Sequence, residues 1–136
     1  MVNNNFETVN LGSAMVSDQC NLPNIPEIRG VDSDLFPGLE ELERILGNIS
    51  VETIEIPYDC GDGFMCAYWR RPEAYMDPNV RKAISTFSRI PNTQEGLDRL
   101  QEDIYSGAWR QKHSHLFEKE SLDLGYRLVV CKMSCT

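Results

Sequence analysis

A chain of 136 residues with 41% hydrophobic and 25% charged residues has the composition of one small globular domain with a single core. Its 21 Asp and Glu outnumber 13 Lys and Arg, for a net charge of −8. That balance argues against a nucleic-acid partner, which needs a basic stripe, and against adsorption to anionic membranes. No apolar run reaches the about 18 residues of a membrane span, and the N-terminus MVNNNFETVNLGSAMVSDQC has neither the basic start nor the apolar block of a secretory signal. Five cysteines (Cys20, Cys60, Cys66, Cys131 and Cys135) are an odd number without a C-x-x-C pair, so reduced thiols and a cytoplasmic location are expected.

Residues 1–21 are rich in Asn, Ser and Thr and show no sustained period, which predicts an irregular N-terminal tail ahead of a domain spanning 22–136. Pro23 and Pro26 predict an extended or turn-like path from Leu22 to Ile28. Asp32, Ser33 and Asp34 offer helix caps. Leu39, Leu42, Ile45 and Leu46 then follow at helical spacing with Glu40, Glu41, Glu43 and Arg44 outside, and Gly47-Asn48 supplies the stop. Val51 to Tyr58 (VETIEIPY) reads as a strand with Ile54 and Ile56 on one face and Pro57 at its end or on an edge.

After the Gly61-Asp62-Gly63 loop, Phe64 to Trp69 is a short apolar run open to a helical reading. Asp77-Pro78 has the form of an N-cap followed by proline at the first helical position, and Val80, Ala83, Ile84 and Phe87 make an apolar stripe that Pro91 ends. Asn92 with Glu95 three residues later predicts a capped helix with Leu97, Leu100 and Ile104 on its buried face and Gly107 as terminator. Ser121 to Asp123 lead into a second strand, Leu124 to Cys131. The expected class is therefore α+β, with two strands and three or more helices. A lone strand pair is marginal in water. These strands are thus expected to extend a larger sheet, in a partner or across a homodimer.

Asp59-Cys60-Gly61-Asp62-Gly63 follows an apolar strand and has the general form of a first cofactor-binding loop, which would make Gly61 and Gly63 a nucleotide cradle. Two observations oppose this. A second strand ending in an acid is needed about 20 residues later for the ribose hydroxyls, where residues 76–90 read as a proline-started helix. The 73 residues after Gly63 (136 minus 63) are also too few for the remaining parallel strands and crossovers. A glycine turn redirecting the chain is the preferred reading, and the acids lack the ligand alternation of an EF-hand loop.

The run YDCGDGFMCAYWRRPEAYMDPNVR, followed at a distance by GLDRLQEDIYSGAW and LDLGYRLVV, resembles the C-terminal part of class I methyltransferases that use S-adenosylmethionine, in particular the type 11 or UbiE-like group. The likeness extends from about Leu22 to Cys131. It implies a partial Rossmann-like fold whose first, cofactor-binding half is absent from this chain. It also implies that Val51–Tyr58 is a late strand and Gly125–Cys131 the closing strand, antiparallel to its neighbours. The helical insert between them would cover the substrate pocket, lined or supported by Tyr58, Asp59, Tyr68, Trp69, Arg70 and Arg71. Members of the family often carry His where this chain has Tyr58, whose phenol with an ordinary pKa near 10 takes up a proton poorly. By this resemblance the chain is the acceptor-side portion of an enzyme that methylates a small molecule or another acceptor. It would use S-adenosylmethionine only with a complementary half. The competing reading is a non-catalytic binding or dimerisation module that completes a sheet in a partner.

Individual residues carry plainer readings beside these. Trp69, Arg70 and Arg71 suit an anionic or aromatic substrate through guanidinium forks and stacking, or a core Trp with arginines paired to acids. Asp59 and Asp62 suit a substrate hydroxyl or amine, or their own turn backbone. His113 and His115 read as surface or half-buried residues, and with Cys131 and Cys135 they fit no standard zinc spacing. Cys60 and Cys66 read as small buried hydrophobes.

Overall fold

The computed structural model describes residues 6–11, as a paired strand, and residues 37–132. The elements in chain order are β1 (Phe6–Leu11), α1 (Leu39–Leu46), β2 (Ile49–Pro57), a 3-10 turn (Pro72–Met76), α2 (Pro78–Ala83), α3 (Ser85–Arg89), α4 (Gln94–Ser106), α5 (Ala108–Lys112), a second 3-10 turn (Ser114–Glu118) and β3 (Ser121–Lys132). The expected path of Leu22–Ile28 and the caps at Asp32, Ser33 and Asp34 lie outside the described residues.

The class is α+β, as the patterning implies, but the described sheet has three strands in the order β1-β3-β2. The additional strand falls where an irregular tail is expected. Phe6–Leu11 pairs antiparallel with β3, from Phe6 opposite Lys132 to Leu11 opposite Arg127. FETVNL is too short and polar to declare itself by period, and the exposed rim of β3 provides the ladder that makes it a strand. Both outer strands run antiparallel to β3. They therefore run parallel to each other, toward the end of the sheet where β3 begins; β2 reaches it with Pro57 opposite Ser121, whereas β1 stops with Leu11 opposite Arg127.

β2 and β3 pair from Ile49 opposite Cys131 to Pro57 opposite Ser121, with an irregularity between Thr53 and Glu55. There Thr53 faces Arg127 while Glu55 faces Asp123, so β3 contains two residues more than its partner. Gly125, at φ +96°, sits in this bulge. Its N–H donates to Asp123 Oδ1 at 2.9 Å, and Arg127 Nη1 donates to the same oxygen at 2.7 Å. An even insertion keeps the strand's alternation in phase. Ile54, Ile56, Leu122 and Leu124 thus turn to one face, and Val51, Val129 and Cys131 to the other.

The first face carries the main core. Ile56, Leu122 and Leu124 pack with Trp69, Tyr75, Ile84, Leu97, Leu100, Trp109 and Leu116 from the segment between β2 and β3. The second face meets α1, where the Cys131 thiol donates to the Leu46 carbonyl oxygen at 3.2 Å. Helix α1 forms as its spacing predicts, capped by Gly38 and closed by Gly47 at φ +83°. It buries Leu42 but leaves Leu39 44% and Ile45 63% exposed.

The insert departs from the sequence reading at three places. Phe64–Trp69 forms no helix: turns run from Met65 onward, and they bury Met65, Cys66, Ala67 and Trp69 together. The helix after Pro78 breaks at Ile84, which is extended (φ −102°, ψ 107°) and only 3% exposed. Its β-branched side chain reaches the core from that backbone, and Asp77 caps the first piece by accepting from the Asn79 N–H at 2.8 Å. Helix α4 starts after Thr93 rather than Asn92, with no side-chain cap, and ends at Gly107 with φ +79°.

Gly125→Ala forces a side chain into a left-handed conformation inside the bulge. It is expected to lower stability by about 1–2 kcal/mol in denaturant melts. Asp123→Asn, which keeps an acceptor for the Gly125 N–H, should cost less.

Candidate functional site

Residues 58–120 leave the sheet at the end of β2 and return at the start of β3, so both ends of the insert meet at the carboxyl edge of the parallel pair. The Tyr58 N–H donates to the Glu120 carbonyl at 2.9 Å and closes the base. Three consecutive side chains reinforce it. Trp69, 1% exposed, donates its indole N–H to the Ile56 carbonyl at 3.1 Å. Arg70 donates Nη1 to the Lys119 carbonyl at 3.1 Å and lies over the Tyr58 ring, 4.2 Å from its centroid. Arg71 donates Nη2 to the Cys60 carbonyl at 2.6 Å and lies over the Tyr68 ring at 4.9 Å.

The six residues singled out from the sequence therefore separate into two groups. Trp69 is core: it supports the surface above it and offers no face to a ligand. Tyr58, Asp59, Tyr68, Arg70 and Arg71 are exposed or half-buried around the base of the insert. Arg70 and Arg71 take, among the described residues, none of the carboxylate partners their plainer reading supplied. Among the described residues, Arg44, Arg99 and Arg127 pair with acids. Arg70 and Arg71 instead stack on rings and bond to carbonyls. Arg71 Nε is buried with no hydrogen-bond partner, as is Trp109 Nε1. A buried donor without a partner costs about 1–3 kcal/mol.

The loop of Gly61 and Gly63 lacks the surroundings of a first cofactor-binding loop. Turns, not a helix N-terminus, follow it, and the next strand runs antiparallel. A Cβ on Gly61 would meet nothing within 4 Å. A Cβ on Gly63 would lie 2.6 Å from the Tyr68 phenol oxygen. Close packing of that ring, held edge-on against Tyr75 with centroids 5.4 Å apart, therefore explains this glycine. Asp62 and Asp59 lie exposed beside it.

Behind the loop, Tyr75 is 2% exposed and donates its hydroxyl to the Met65 carbonyl at 2.7 Å. Burial, partly opposed by its hydrogen bonding, pushes its phenol far above the usual range, so it stays protonated and acts as a strut. Cys60 is half-buried and free, and Cys131 is buried and free. Cys66 is disulfide-bonded, which corrects the expectation of a reduced thiol at that position.

Sequence reasoning missed Phe117 and Arg110. Arg110 lies over the Phe117 ring at 4.5 Å, and Arg70 approaches the same ring at 5.6 Å. Helix α5 and the 3-10 turn that carry them are too short to show a period, and the only signal was a cation and a ring on either side of His113 and His115. His113 packs against Trp109 with ring centroids 4.8 Å apart. Burial, then the neighbouring charges of Lys112 and His115, hold its pKa below the ordinary value.

The chain matches no family model and no curated protein. Among solved structures it is similar to a protein of Anabaena variabilis provisionally described as a methyltransferase from an antibiotic biosynthesis pathway. The TM-score is 0.82 at 25% identity, over 94% of this chain and 55% of that one. The chain thus has a methyltransferase-like fold and spans about half the length of that structural relative. Among the described residues, no helix is long and apolar enough to cross a membrane.

Two outcomes test this geometry. Gly63→Ala should displace the Tyr68 ring and lower stability by about 1–3 kcal/mol; Tyr68→Phe in the same background should recover part of the loss in thermal melts. A histidine whose folded pKa is lowered takes up its proton more readily when unfolded. Stability should therefore decline as pH falls below about 6.5 and level off once folded His113 is also protonated. His113→Gln should flatten that part of the stability curve.

Proposed function

We propose that this chain is the acceptor-side part of a class I, S-adenosylmethionine-dependent methyltransferase, of the type 11 or UbiE-like kind. The observation that carries the reading is the structural likeness over 94% of the chain to 55% of a larger methyltransferase-like protein. The sheet order supports it. A closing strand antiparallel to both neighbours, with a helical insert over the carboxyl edge of a parallel pair, puts the insert where open α/β sheets receive ligands.

In this reading the insert shapes the acceptor pocket, with Tyr58, Asp59, Tyr68, Arg70 and Arg71 around its base. Its contribution is to hold the nucleophilic atom in line with the donor methyl group and to exclude water; alignment of that kind supplies much of the rate in such transfers. S-adenosylmethionine supplies the electrophilic methyl group, and a complementary half would hold it. Among the described residues, β1 pairs only with β3, so its other edge is available for a strand of that half. A cytoplasmic setting suits such an enzyme, with the bonded Cys66 as an exception to the usual rule for that compartment.

The same open edge favours a second reading, in which the chain is a non-catalytic module pairing with a partner or a second copy. The two separate by experiment. The chain alone should show no rise in melting temperature with S-adenosylhomocysteine. Co-expression with the unmatched portion of the Anabaena protein should give a complex that the same ligand stabilises, by RT ln(1 + [L]/Kd). A dimer of this chain that ignores both the ligand and the added half would favour the second reading. Methyl transfer by the purified chain alone would remove the claim that the donor is held elsewhere.

A further inference from the structure

The irregularity in the β2–β3 ladder separates two regular stretches. From Ile49 opposite Cys131 to Thr53 opposite Arg127 the strands keep one register, and from Glu55 opposite Asp123 to Pro57 opposite Ser121 they keep another, displaced by two residues. The two stretches are not held alike. β1 pairs with Arg127 to Lys132, so that part of β3 has a neighbour on each side. Among the described residues, Ser121 to Asp123 pair with β2 alone, and the ladder there ends at Pro57, which has no N–H to give.

The period of a strand makes a second arrangement available. If the first register ran on to the end of β2, Glu55 would face Gly125, Ile56 would face Leu124 and Pro57 would face Asp123. A shift of two residues leaves every side chain on its own face, so Ile56 would exchange one buried leucine, Leu122, for another, Leu124. The apolar pattern therefore does not choose between the bulged and the regular strand. The interactions that choose exist only in the bulge. Asp123 accepts from both terminal nitrogens of Arg127, at 2.7 and 3.2 Å, and from the Gly125 N–H at 2.9 Å. In a regular strand residues four apart stand about 13 Å apart, with side chains directed away from the sheet rather than toward each other. Neither the two-point pairing nor the bond to the Gly125 N–H survives there. Gly125, at φ +96°, supplies a backbone conformation that other residues avoid.

We propose that Asp123, Gly125 and Arg127 form a register clamp, which holds β3 in the bulged one of two in-phase registers and so fixes where the insert returns to the sheet. Releasing the clamp moves the start of β3 about 7 Å along β2. The Glu120 carbonyl then leaves the Tyr58 N–H, the Ser121 hydroxyl leaves Glu55 Oε2, and the Lys119 carbonyl is drawn away from Arg70. The guanidinium over the Tyr58 ring loses its main-chain anchor. Asp123 and Arg127 are thus positioning residues for the base of the insert. The clamp goes beyond the methyl-transfer reading and does not depend on it.

The test compares the 136-residue chain with its variants by cross-strand NOEs and amide exchange. The unaltered chain should show contacts of Glu55 with Asp123 and of Pro57 with Ser121. Arg127→Gln, at a half-buried side chain, should add a second set, Glu55 with Gly125 and Pro57 with Asp123. It should also speed exchange of the Tyr58 amide about fivefold, the effect of losing one two-point ion pair near the surface, while amides between Ile49 and Thr53 hold their rates. Gly125→Val, which favours extended backbone, should make the second set the main one. Arg99→Gln, which removes an ion pair of the same spacing on α4, should alter neither readout. If Gly125→Val does not fold, Arg127→Gln decides alone. The first set persisting by itself in Arg127→Gln, whether or not that variant melts earlier, would overturn the proposal. So would a Tyr58 amide that speeds only in step with those between Ile49 and Thr53, since general loss of stability moves both.

Discussion

The structure depends on closing the base of one long excursion. Residues 58–120 depart from β2 and rejoin the sheet at β3, and the strands on either side are hydrogen-bonded neighbours. The closure is made by the backbone bond from Tyr58 to Glu120 and by the three side chains Trp69, Arg70 and Arg71, each of which bonds to a main-chain carbonyl. Carbonyl partners suit the task. They lie at fixed points of the backbone, so a bond to them fixes the path of the chain and not merely a pair of mobile side chains. A tryptophan buried from its own turn and bonded to Ile56 locks the insert onto the sheet, and the cations beside it are then held at the surface.

This arrangement links packing to chemistry. Because the insert buries its apolar residues against Ile56, Leu122 and Leu124, its polar rim is pushed outward to the carboxyl edge of the parallel pair. There the local charge departs from that of the whole chain: the guanidiniums of Arg70, Arg71 and Arg110 sit over rings in a protein that is acidic overall. Exposed cation–π contacts are worth about 0.5–1 kcal/mol each, enough to order the side chains and too little to satisfy their charge. The bulge at Gly125 serves the same end by a different route. It lengthens β3 relative to β2 without changing its alternation, and the ring of Tyr126 beside it meets Phe64 of the insert edge-on with centroids 5.2 Å apart.

The likeness to a longer methyltransferase-like protein fits this division of labour. The described sheet has three strands, with β3 in the middle and antiparallel to both others. The apolar residues left exposed on the face away from the insert, Leu39, Ile45 and Val51, belong to a surface that the insert core does not use.

Some of this protein was legible in its sequence, and the reason is local periodicity. Leu42 at the centre of an i, i+3 pattern, the alternation of Ile54 and Ile56, and the Asp77-Pro78 start are rules of single elements, and those elements formed. The arginines and tyrosines around residue 70 stand out through the family resemblance of their run, which no periodicity supplies. Only the tertiary structure decided the rest. Phe6–Leu11 is a strand because β3 offers it a ladder, Ile84 interrupts a helix because the core lies beneath it, and Gly63 is small because Tyr68 occupies the space. Arg110 and Phe117 join Arg70 across some forty residues of chain by the closure of the base, and no spacing encodes that meeting. Patterns of neighbours along a chain specify elements; contacts between elements, which set burial, strand number and the company each charge keeps, exist only once those elements pack.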